Sequence, residues 1–542
     1  EFLKFYFLET NQPVRRFRML VSQQVVFSLF AAVVVADDVG YEKLYESSAT
    51  EVWPAQCFDA PGVPAHVQGT FLLAGPALFE MGDRAFQNAL DGFGKVQSFK
   101  LGGGKVCFST RMMQTGFYNA SVKAGTIGHG GLFMETVPPR HCETLHPMCN
   151  MLAAGDNNYV NSFQVSADEP NKLLMVSDTT KMVDFDLESL SVTGDHTWDD
   201  HMVQFMHTAP LGSAHPLPDP AGRGGTIGIA SGLPEGPGQS FVDVYRLDPA
   251  NPKTRELLSR YSVDKTAYFH SFGLTEHYAI FPHNVAFDTM AMFKTFGATI
   301  GSAMTSHWDG IRVVQHNPAS VDKEPLVFQT EPFFHVHIAN SFENATGIVL
   351  DISSSSSNLL ATALTIEKQL NKTIRDSGDK IHLKRLHLHL SGNQKGKVTT
   401  QTLSVESRSS EFFRINPLFQ SREYCIYYAT EWFHAGSAYA SMAVLRHDVC
   451  KGERTYWAKE NWYPSEAVFV PTGTEEADGV LVFTALDGVN GVSHFVTVDA
   501  ATMTEMTNLA LPVRIPFTAH GEFYAGSAGA AQSLATETML LV

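Results

Sequence analysis

Four short stretches of the chain each place a histidine among turn-forming and strand-forming residues. The stretches are Gly212–Asp219 with His215, Ala267–Phe281 with His270, Phe333–Glu343 with His337, and Arg514–Phe523 with His520. A neutral imidazole is the commonest metal ligand among protein side chains and suits iron. One such histidine alone is typical of a buried structural residue. Four histidines in similar contexts make a shared metal site a working hypothesis.

The stretch around His270 shows the local structure that we expect at such a site. Aromatic residues run into His270, a Ser-Phe-Gly turn signal follows, and a second apolar segment covers Tyr278–Phe281. This pattern predicts two short strands with the histidine at the end of the first.

The elements that must position these histidines are many short strands separated by Gly, Pro, Asn and Asp. Ten examples are Phe71–Leu73, Val106–Ser109, Leu173–Val176, Thr226–Ala230, Ala279–Phe281, Ile348–Ile352, Ala443–Arg446, Ala467–Val470, Val480–Phe483 and His494–Val498. Such a succession is typical of an all-β sandwich, barrel or propeller. A propeller blade takes roughly 40–45 residues, so about 500 residues would suit seven blades with long loops.

Two segments differ from the general strand pattern. A serine run, Ser353–Ser357, leads into Asn358–Ser377, where apolar residues at helical spacing predict one amphipathic helix inserted between strands. Leucine and histidine then alternate over Leu386–Leu390, which predicts a strand with one polar face. Its histidines, His387 and His389, are interpreted as surface residues rather than ligands.

The composition supports a large folded core and limits the classes of partner. The chain has 542 residues, of which 44% are hydrophobic and 18% charged, and its formal net charge is −17. An acidic protein without a basic face is a poor binder of nucleic acid, since phosphate binding needs positive charge. Contact with a membrane stays open, because it can be apolar.

Residues 1–36 carry the features of a targeting segment. Arg15, Arg16 and Arg18 precede an apolar run, Val25–Ala36, that ends in small residues. This pattern predicts a secretory signal peptide, the alternatives being a membrane-surface anchor or a simple extension. If residues 1–36 are a signal peptide, the protein enters the secretory route and is found in the endoplasmic reticulum or outside the cell. Otherwise we expect a cytoplasmic protein with membrane association.

The cysteines and the glycosylation sequons bear on the same question of compartment. Cysteines stand at Cys57, Cys107, Cys142, Cys149, Cys425 and Cys450. Cys142 and Cys149 could close a small disulfide loop in an oxidising compartment, and six reduced thiols are the alternative. Sequons at Asn119, Asn344 and Asn371 would be usable in the secretory route.

The four histidine stretches together resemble the carotenoid cleavage oxygenase family. The matching motifs are Ala214-His215-Pro216, His270-Ser-Phe-Gly273 followed by Thr275, His337-x-x-Asn340-x-Phe342-Glu343, and His520-Gly521-x-Phe523. They occur in the family's order over some 300 residues, and in the third motif the spacing to Asn340 selects His337 over His335. Asp156–Asn161 and Tyr463–Phe469 are similar to the animal branch, which includes β-carotene oxygenases and the retinal-pigment isomerohydrolase.

The resemblance implies a fold, a metal and a set of site residues. The fold is a seven-bladed β-propeller, formed as one domain by residues 37–542, with a dome of loops over an Fe(II) ion on the axis. The iron ligands implied are His215, His270, His337 and His520. Glu411 would orient His337 and Glu466 would orient His520. Asp178, which aligns where the family has glutamate, would support His270, and its shorter arm requires a backbone shift or a bridging water.

The reaction that the resemblance implies is the cleavage of a carbon–carbon double bond by dioxygen, which gives two carbonyl products. The substrate would be an apolar polyene, a carotenoid or apocarotenoid, held in an aromatic tunnel. Met112, Met113, Phe117 and Tyr118 would lie near the tunnel mouth, either dipping into a membrane or buried in a loop.

Three alternatives to carotenoid cleavage remain open from the sequence. A retinyl-ester isomerohydrolase and a stilbene-cleaving oxygenase would use the same iron site, and a non-catalytic carotenoid-binding propeller would keep the fold alone.

Overall fold

The computed structural model describes residues 38–140, 155–166, 168–200, 202, 211–232, 239–288, 299–321 and 323–526. The predicted targeting segment, residues 1–36, lies outside the described residues, as do Cys142 and Cys149. The described chain is mostly β-structure, as the sequence predicts, with antiparallel strands joined by short turns.

The strands are short, and most follow one another as antiparallel neighbours. In chain order they are β1 (Val52–Asp59), β2 (Gly69–Leu78), β3 (Glu80–Met81), β4 (Arg84–Ala85), β5 (Phe93–Gly102), β6 (Lys105–Met112), β7 (Asn161–Gln164), β8 (Lys172–Val176), β9 (Val183–Asp186), β10 (Ser191–Asp195), β11 (Leu211–Gly212), β12 (Leu217–Pro218), β13 (Thr226–Gly232), β14 (Ser240–Leu247), β15 (Arg255–Val263), β16 (Thr266–Ala267), β17 (Gly273–Leu274), β18 (Tyr278–Pro282), β19 (Val285–Phe287), β20 (Met304–Ser306), β21 (Ile311–Gln315), β22 (Leu326–Phe328), β23 (Ile338–Asn344), β24 (Gly347–Ser354), β25 (His382–His389), β26 (Val398–Thr402), β27 (Ser409–Arg414), β28 (Ile426–Trp432), β29 (Ala443–Asp448), β30 (Glu453–Trp457), β31 (Trp462–Pro464), β32 (Val468–Pro471), β33 (Gly479–Asp487), β34 (Val492–Asp499), β35 (Glu505–Ala510) and β36 (Gly521–Ala525). Each of the ten strands predicted from the sequence overlaps one of these.

Helices are few and short in the described residues. The α-helices are α1 (Gly116–Ala124), α2 (Ile300–Ala303), α3 (Leu359–Thr362), α4 (Ile366–Leu370) and α5 (Lys372–Asp376). The 3₁₀ turns cover Tyr41–Tyr45, Ala89–Asp91, Pro318–Ser320, Gly392–Gln394 and Pro417–Phe419.

Within the described residues the strands form seven antiparallel sheets of four or five strands, besides two smaller sheets. The first sheet has the order β1-β6-β5-β2-β36, so the last strand of the chain pairs with one of the first. The second contains β7 to β10, the third β11 to β15, and the fourth β17, β18, β21 and β22. The fifth contains β23 to β26, the sixth β27 to β30, and the seventh β31 to β35.

The hydrophobic core lies between successive sheets. Each of these sheets shares a cluster of apolar side chains with the next one along the chain. The seventh sheet packs against the first, where the rings of Phe99 and Phe495 stack at 4.9 Å. Burial of apolar surface on both faces explains why many strands are continuous apolar runs.

The predicted alternating strand is confirmed as part of β25. Leu386 and Leu388 are buried, whereas His387 and His389 are only half-buried on the other face. These two histidines belong to the fifth sheet and lie outside the cluster of histidines described below.

The predicted single helix over Asn358–Ser377 is wrong, because the segment forms three short helices, α3, α4 and α5. Thr365 accepts a hydrogen bond from the Lys368 backbone N–H at 3.3 Å and starts α4. Asn371 accepts one from the Ile374 N–H at 3.2 Å and starts α5. Side chains that cap a new helix interrupt the old one, and apolar spacing alone does not reveal this.

Of the two alternatives for Met112, Met113 and Phe117, the one in which they dip into a membrane is wrong. All three side chains are at most 3% exposed, and Phe117 packs against Phe93 with ring centroids 5.0 Å apart. These side chains are therefore buried, although only Met113 lies in a loop, since Met112 ends β6 and Phe117 belongs to α1. Tyr118 is partly buried, and Phe117 is one of the residues that line the cavity described below. Nowhere in the described ranges is a helix long and apolar enough to cross a membrane.

Four of the cysteines form two disulfides. Cys57 on β1 stands opposite Cys107 on β6 and is bonded to it, and Cys425 is bonded to Cys450. The alternative of six reduced thiols is therefore wrong for these four residues.

We expect the double substitution Cys425→Ser and Cys450→Ser to lower the free energy of unfolding by about 3 kcal/mol. The disulfide joins residues 25 positions apart, and its loss frees that loop in the unfolded chain. Urea unfolding without reductant measures the difference. With reductant present, the parent protein and the variant should unfold at closely similar urea concentrations. Equal stability without reductant would contradict the prediction.

Candidate metal centre

Four histidine side chains from distant parts of the chain meet at one point. Their Nε2 atoms lie 3.0 Å apart for His215 and His270, 3.1 Å for His270 and His337, and 3.1 Å for His337 and His520. All four ligand atoms lie within 4.8 Å of one another. Adjacent ligands of an ion with metal–nitrogen bonds of roughly 2.1 Å stand about 3 Å apart, so the spacing fits one metal ion. We call this group the four-histidine cluster.

The ends of short strands position the four-histidine cluster. His215 lies three residues beyond β11, and His270 lies three residues beyond β16 rather than on it. His337 and His520 directly precede β23 and β36. His335, two residues before His337, points elsewhere: its Nδ1 is bonded to the Asn284 amide at 2.7 Å. His337 therefore lies in the four-histidine cluster, and His335 lies outside it.

Neighbouring hydroxyls connect the loops that carry the histidines. The Ser213 hydroxyl donates to the His270 carbonyl oxygen at 2.7 Å, and the Ser271 hydroxyl donates to the Val336 carbonyl oxygen at 2.6 Å. Each bond fixes the backbone of one ligand loop against the next. These two bonds link the backbones of the loops that carry His215, His270 and His337.

Carboxylates bond to the Nδ1 atoms of three of the histidines. Asp178 contacts His270 Nδ1 at 2.9 and 3.0 Å, and Glu466 contacts His520 Nδ1 at 3.0 Å. Glu411 Oε2 forms a short hydrogen bond with His337 Nδ1. A carboxylate that accepts the Nδ1–H fixes the tautomer with its lone pair on Nε2, which is the ligand form. The three predicted pairings are all present.

Asp178 reaches His270 directly, so no bridging water is needed for its shorter arm. The same carboxylate accepts hydrogen bonds from the Tyr268 hydroxyl at 2.6 Å and from the Ala214 N–H at 3.3 Å. Ala214 directly precedes His215, so Asp178 contacts the loops of two histidines of the cluster at once. Sequence reasoning did not identify Tyr268 as part of this support.

The charges around the cluster favour a doubly charged cation. In the described part of the chain, Asp178 and Glu411 receive hydrogen bonds but form no ion pair with lysine or arginine. Burying the Glu411 carboxylate without a cation is costly, and a divalent ion at the four-histidine cluster would balance both this carboxylate and the partly buried Asp178. The charge of Glu466, in contrast, is already balanced, because Arg414 contacts both of its carboxylate oxygens at 2.9 and 3.0 Å.

The pKa shifts agree with ionised carboxylates and neutral imidazoles. Burial alone would raise the pKa of Glu466, but Arg414 and His520 hold it far below its usual range. Burial likewise tends to raise the pKa of Glu411, and the neighbouring His337 lowers it on balance. Burial lowers the pKa of His520 to about 4 and that of His215 well below its usual value. At neutral pH both imidazoles are therefore uncharged and able to bind a metal.

A cavity of about 400 Å³ opens on the cluster, and His270, His337 and His520 form part of its wall. Most of the lining is apolar; examples are Leu90, Leu132, Phe133, Val160, Leu360 and Leu364. A volume of this size with a few polar groups in an apolar wall is typical of a small-molecule site.

Phe412 lines the cavity beside two histidines of the cluster, and sequence reasoning missed it. Its ring lies 5.6 Å from the His337 ring and 5.4 Å from the His520 ring. Its backbone φ is 55°, a left-handed conformation that is uncommon for a bulky residue. The strained residue directly follows Glu411, so the backbone is bent where the carboxylate and the ring must both face the cavity.

The fold and the geometry of this site define a β-sheet protein with four histidines that could hold a metal ion beside an apolar cavity. Residues 46–525 match the model of the retinal pigment epithelial membrane protein family. This chain belongs to that family.

Relatives with established names extend over most of the chain. A mitochondrial carotenoid-cleaving dioxygenase of Mustela putorius furo is 25% identical, over 85% of this chain and 92% of that protein. The apocarotenoid-15,15'-oxygenase of Synechocystis sp. is 28% identical, over 88% of this chain and 95% of its own length. The carotenoid isomerooxygenase of Galleria mellonella is 23% identical, over 90% of this chain and 98% of its own length.

Solved structures share the fold. The crystal structure of cobalt-substituted Synechocystis apocarotenoid oxygenase superposes with a TM-score of 0.73 at 23% identity, covering 90% of this chain and 98% of that one.

Proposed function

We propose that this protein is a non-haem Fe(II) dioxygenase that cleaves a carbon–carbon double bond of a carotenoid or apocarotenoid with dioxygen and forms aldehyde or ketone products. The single observation that carries the proposal is the convergence of four Nε2 atoms at the wall of an apolar cavity. The names of the relatives, which include carotenoid-cleaving and apocarotenoid oxygenases, support the substrate class.

His215, His270, His337 and His520 would hold the iron. When bound, the ferrous ion would supply the activation of dioxygen, since four ligands leave coordination positions open. Asp178, Glu411 and Glu466 keep three of the imidazoles in the ligand tautomer.

The protein also holds the substrate and excludes water. The apolar wall of the cavity suits a polyene, which has no polar groups along its length, and offers water few hydrogen-bond partners once the substrate is bound. Phe412 narrows the space beside His337 and His520, so one double bond can be presented to the site.

We also propose that residues 37–542 form one seven-bladed propeller. Seven sheets of four or five strands, each packed on the next, support it, as does the pairing of the last strand, β36, with β2 of the first sheet. In this arrangement the inner ends of the blades surround the four-histidine cluster.

The test is a turnover experiment under isotope-labelled dioxygen. Iron-loaded protein in detergent would be given β-carotene, an apocarotenal, a retinyl ester and a hydroxystilbene, with products read by mass spectrometry. We expect labelled aldehydes from a carotenoid or apocarotenoid, and their masses locate the bond that is cut. Treatment with a chelator should abolish the reaction and added Fe(II) should restore it.

Three results would contradict the proposal in different ways. Unlabelled cis-retinol without aldehydes would indicate an isomerohydrolase. Labelled products from the hydroxystilbene alone would indicate a stilbene oxygenase. Bound iron with no product from any substrate would favour a carotenoid-binding protein without catalysis.

A further inference from the structure

One sequon lies at the tip of an exposed hairpin, far from the four-histidine cluster. Asn344, Ala345 and Thr346 form the turn between β23 and β24, and all three are exposed. The strand β23 begins directly after His337 and ends at Asn344. Seven strand residues span roughly 20 Å, so the turn and the metal site lie at opposite ends of β23.

The hydrogen bonds of the turn use the side-chain oxygen of Asn344 and leave its side-chain nitrogen, Nδ2, available for modification. Its Oδ1 accepts from the Thr346 N–H at 2.9 Å, from the Thr346 hydroxyl at 3.0 Å and from the Gly347 N–H at 3.0 Å. Among the described residues, no hydrogen-bond partner is found for Nδ2. A substituent on Nδ2 would therefore keep the whole turn, because the carbonyl oxygen alone holds it.

The other two sequons are less suited to a modification. Asn119 lies within α1, its Nδ2 donates to the Gln114 carbonyl oxygen at 3.1 Å, and Ser121 of the same sequon is fully buried. Asn371 caps α5, where its neighbours Leu370 and Ile374 are 47% and 42% exposed and Ile374 also lines the cavity. A glycan there would stand beside the substrate cavity, whereas one on Asn344 would not.

The two disulfides are an independent observation on the compartment. Cys57–Cys107 and Cys425–Cys450 join residues 50 and 25 positions apart. Disulfides form and persist in oxidising compartments, above all in the secretory route, and are rare in the cytosol. The machinery that modifies sequons operates in the same route.

We infer that the chain matures in the secretory route and carries an N-linked glycan on Asn344. The donor is an oligosaccharide attached through C1 to a polyprenyl diphosphate. A bond forms between Asn344 Nδ2 and C1 while the bond from C1 to the diphosphate oxygen breaks. The diphosphate leaves with the electron pair, and the amide gives up one proton to a base of the transferase.

The first test uses the full-length protein purified from its source organism. Peptide-N-glycosidase in isotope-labelled water releases the glycan and leaves a labelled aspartate at position 344, which peptide mass spectrometry detects. We expect this label at position 344 and none at position 119. Alkylation before and after reduction should show Cys57 and Cys425 protected until reduction. An unmodified Asn344 overturns the inference, whatever the state of the cysteines.

Matched variants produced in a secreting eukaryotic cell distinguish the loss of the glycan from a change in the turn itself. Asn344→Asp keeps the accepting oxygen and removes Nδ2, and Thr346→Ala destroys the sequon. Both should migrate faster on a gel by the mass of one glycan. Thr346→Ser keeps the sequon and the hydroxyl, so its migration should equal that of the parent. Turnover should be the same in all, because the turn is remote from the cavity. Identical migration of Asn344→Asp and the parent would contradict the inference.

Discussion

Replacing His337 with alanine is expected to weaken iron binding by roughly 100-fold or more and to reduce turnover below detection. Loss of an orienting partner alone typically costs 10–100-fold in metal affinity, and His337 is a ligand in the proposed site. Its Nε2 lies 3.1 Å from the Nε2 atoms of both His270 and His520, so it stands between two other ligands. Iron content by mass spectrometry and product formation under dioxygen measure the two effects.

The matched control for His337→Ala is His335→Ala. Both residues are buried on the same segment, but His335 is bonded to Asn284 and lies outside the four-histidine cluster. We expect His335→Ala to lower stability and to retain iron. Equal iron loss in both variants would mean that the segment merely unfolds, and iron retention by His337→Ala would exclude His337 as a ligand.

A second variant separates metal binding from the cost of a buried charge. In His337→Ala the Glu411 carboxylate loses its imidazole partner, which costs about 1–3 kcal/mol for a buried group left unsatisfied. Adding Glu411→Gln should recover part of this stability and none of the iron. Urea unfolding and metal analysis of the same samples distinguish the two effects.

The four histidines of the cluster were predicted from their resemblance to the motifs of the family, and one of these motifs has a visible physical reason. Gly521, which follows His520, shows that reason most directly. A Cβ on Gly521 would approach the Phe71 ring within 2.6 Å, so only glycine fits where β36 begins. A histidine followed by such a glycine is visible in a sequence. Many of the strands were predictable for a physical reason as well, because burial on both faces makes them continuous apolar runs.

Arg414 could not be predicted, because it depends on an irregular strand. In a regular strand, residues three apart point to opposite faces, so Glu411 and Arg414 would not share a site. The register of β27 shifts between these two residues, and Phe412 takes a positive φ there. Glu411 consequently reaches His337 while Arg414 reaches Glu466. Alternation of residue types carries no sign of such a bulge.

Replacing Asp178 with asparagine is expected to lower iron affinity about 10–100-fold while the fold is retained. The carboxylate accepts from His270 Nδ1, the Tyr268 hydroxyl and the Ala214 N–H together. An asparagine offers one accepting oxygen and an NH₂ group, so it cannot satisfy all these donors. It also removes one of the two negative charges that a divalent ion would balance. Competition with a calibrated chelator measures the affinity.

Two further variants show whether Asp178 acts through His270. Tyr268→Phe removes one donor and leaves the carboxylate on the imidazole, so we expect a smaller loss of iron affinity than for Asp178→Asn. Asp178→Glu restores the residue that the motif of this family usually has, yet the aspartate already contacts Nδ1 at 2.9 Å. The added methylene must displace the His270 loop or the Tyr268 hydroxyl, at a cost of about 1–3 kcal/mol in stability. Unchanged stability and iron affinity in Asp178→Glu would show instead that the backbone around this position adjusts freely, and that the length of the acidic side chain does not set the position of His270.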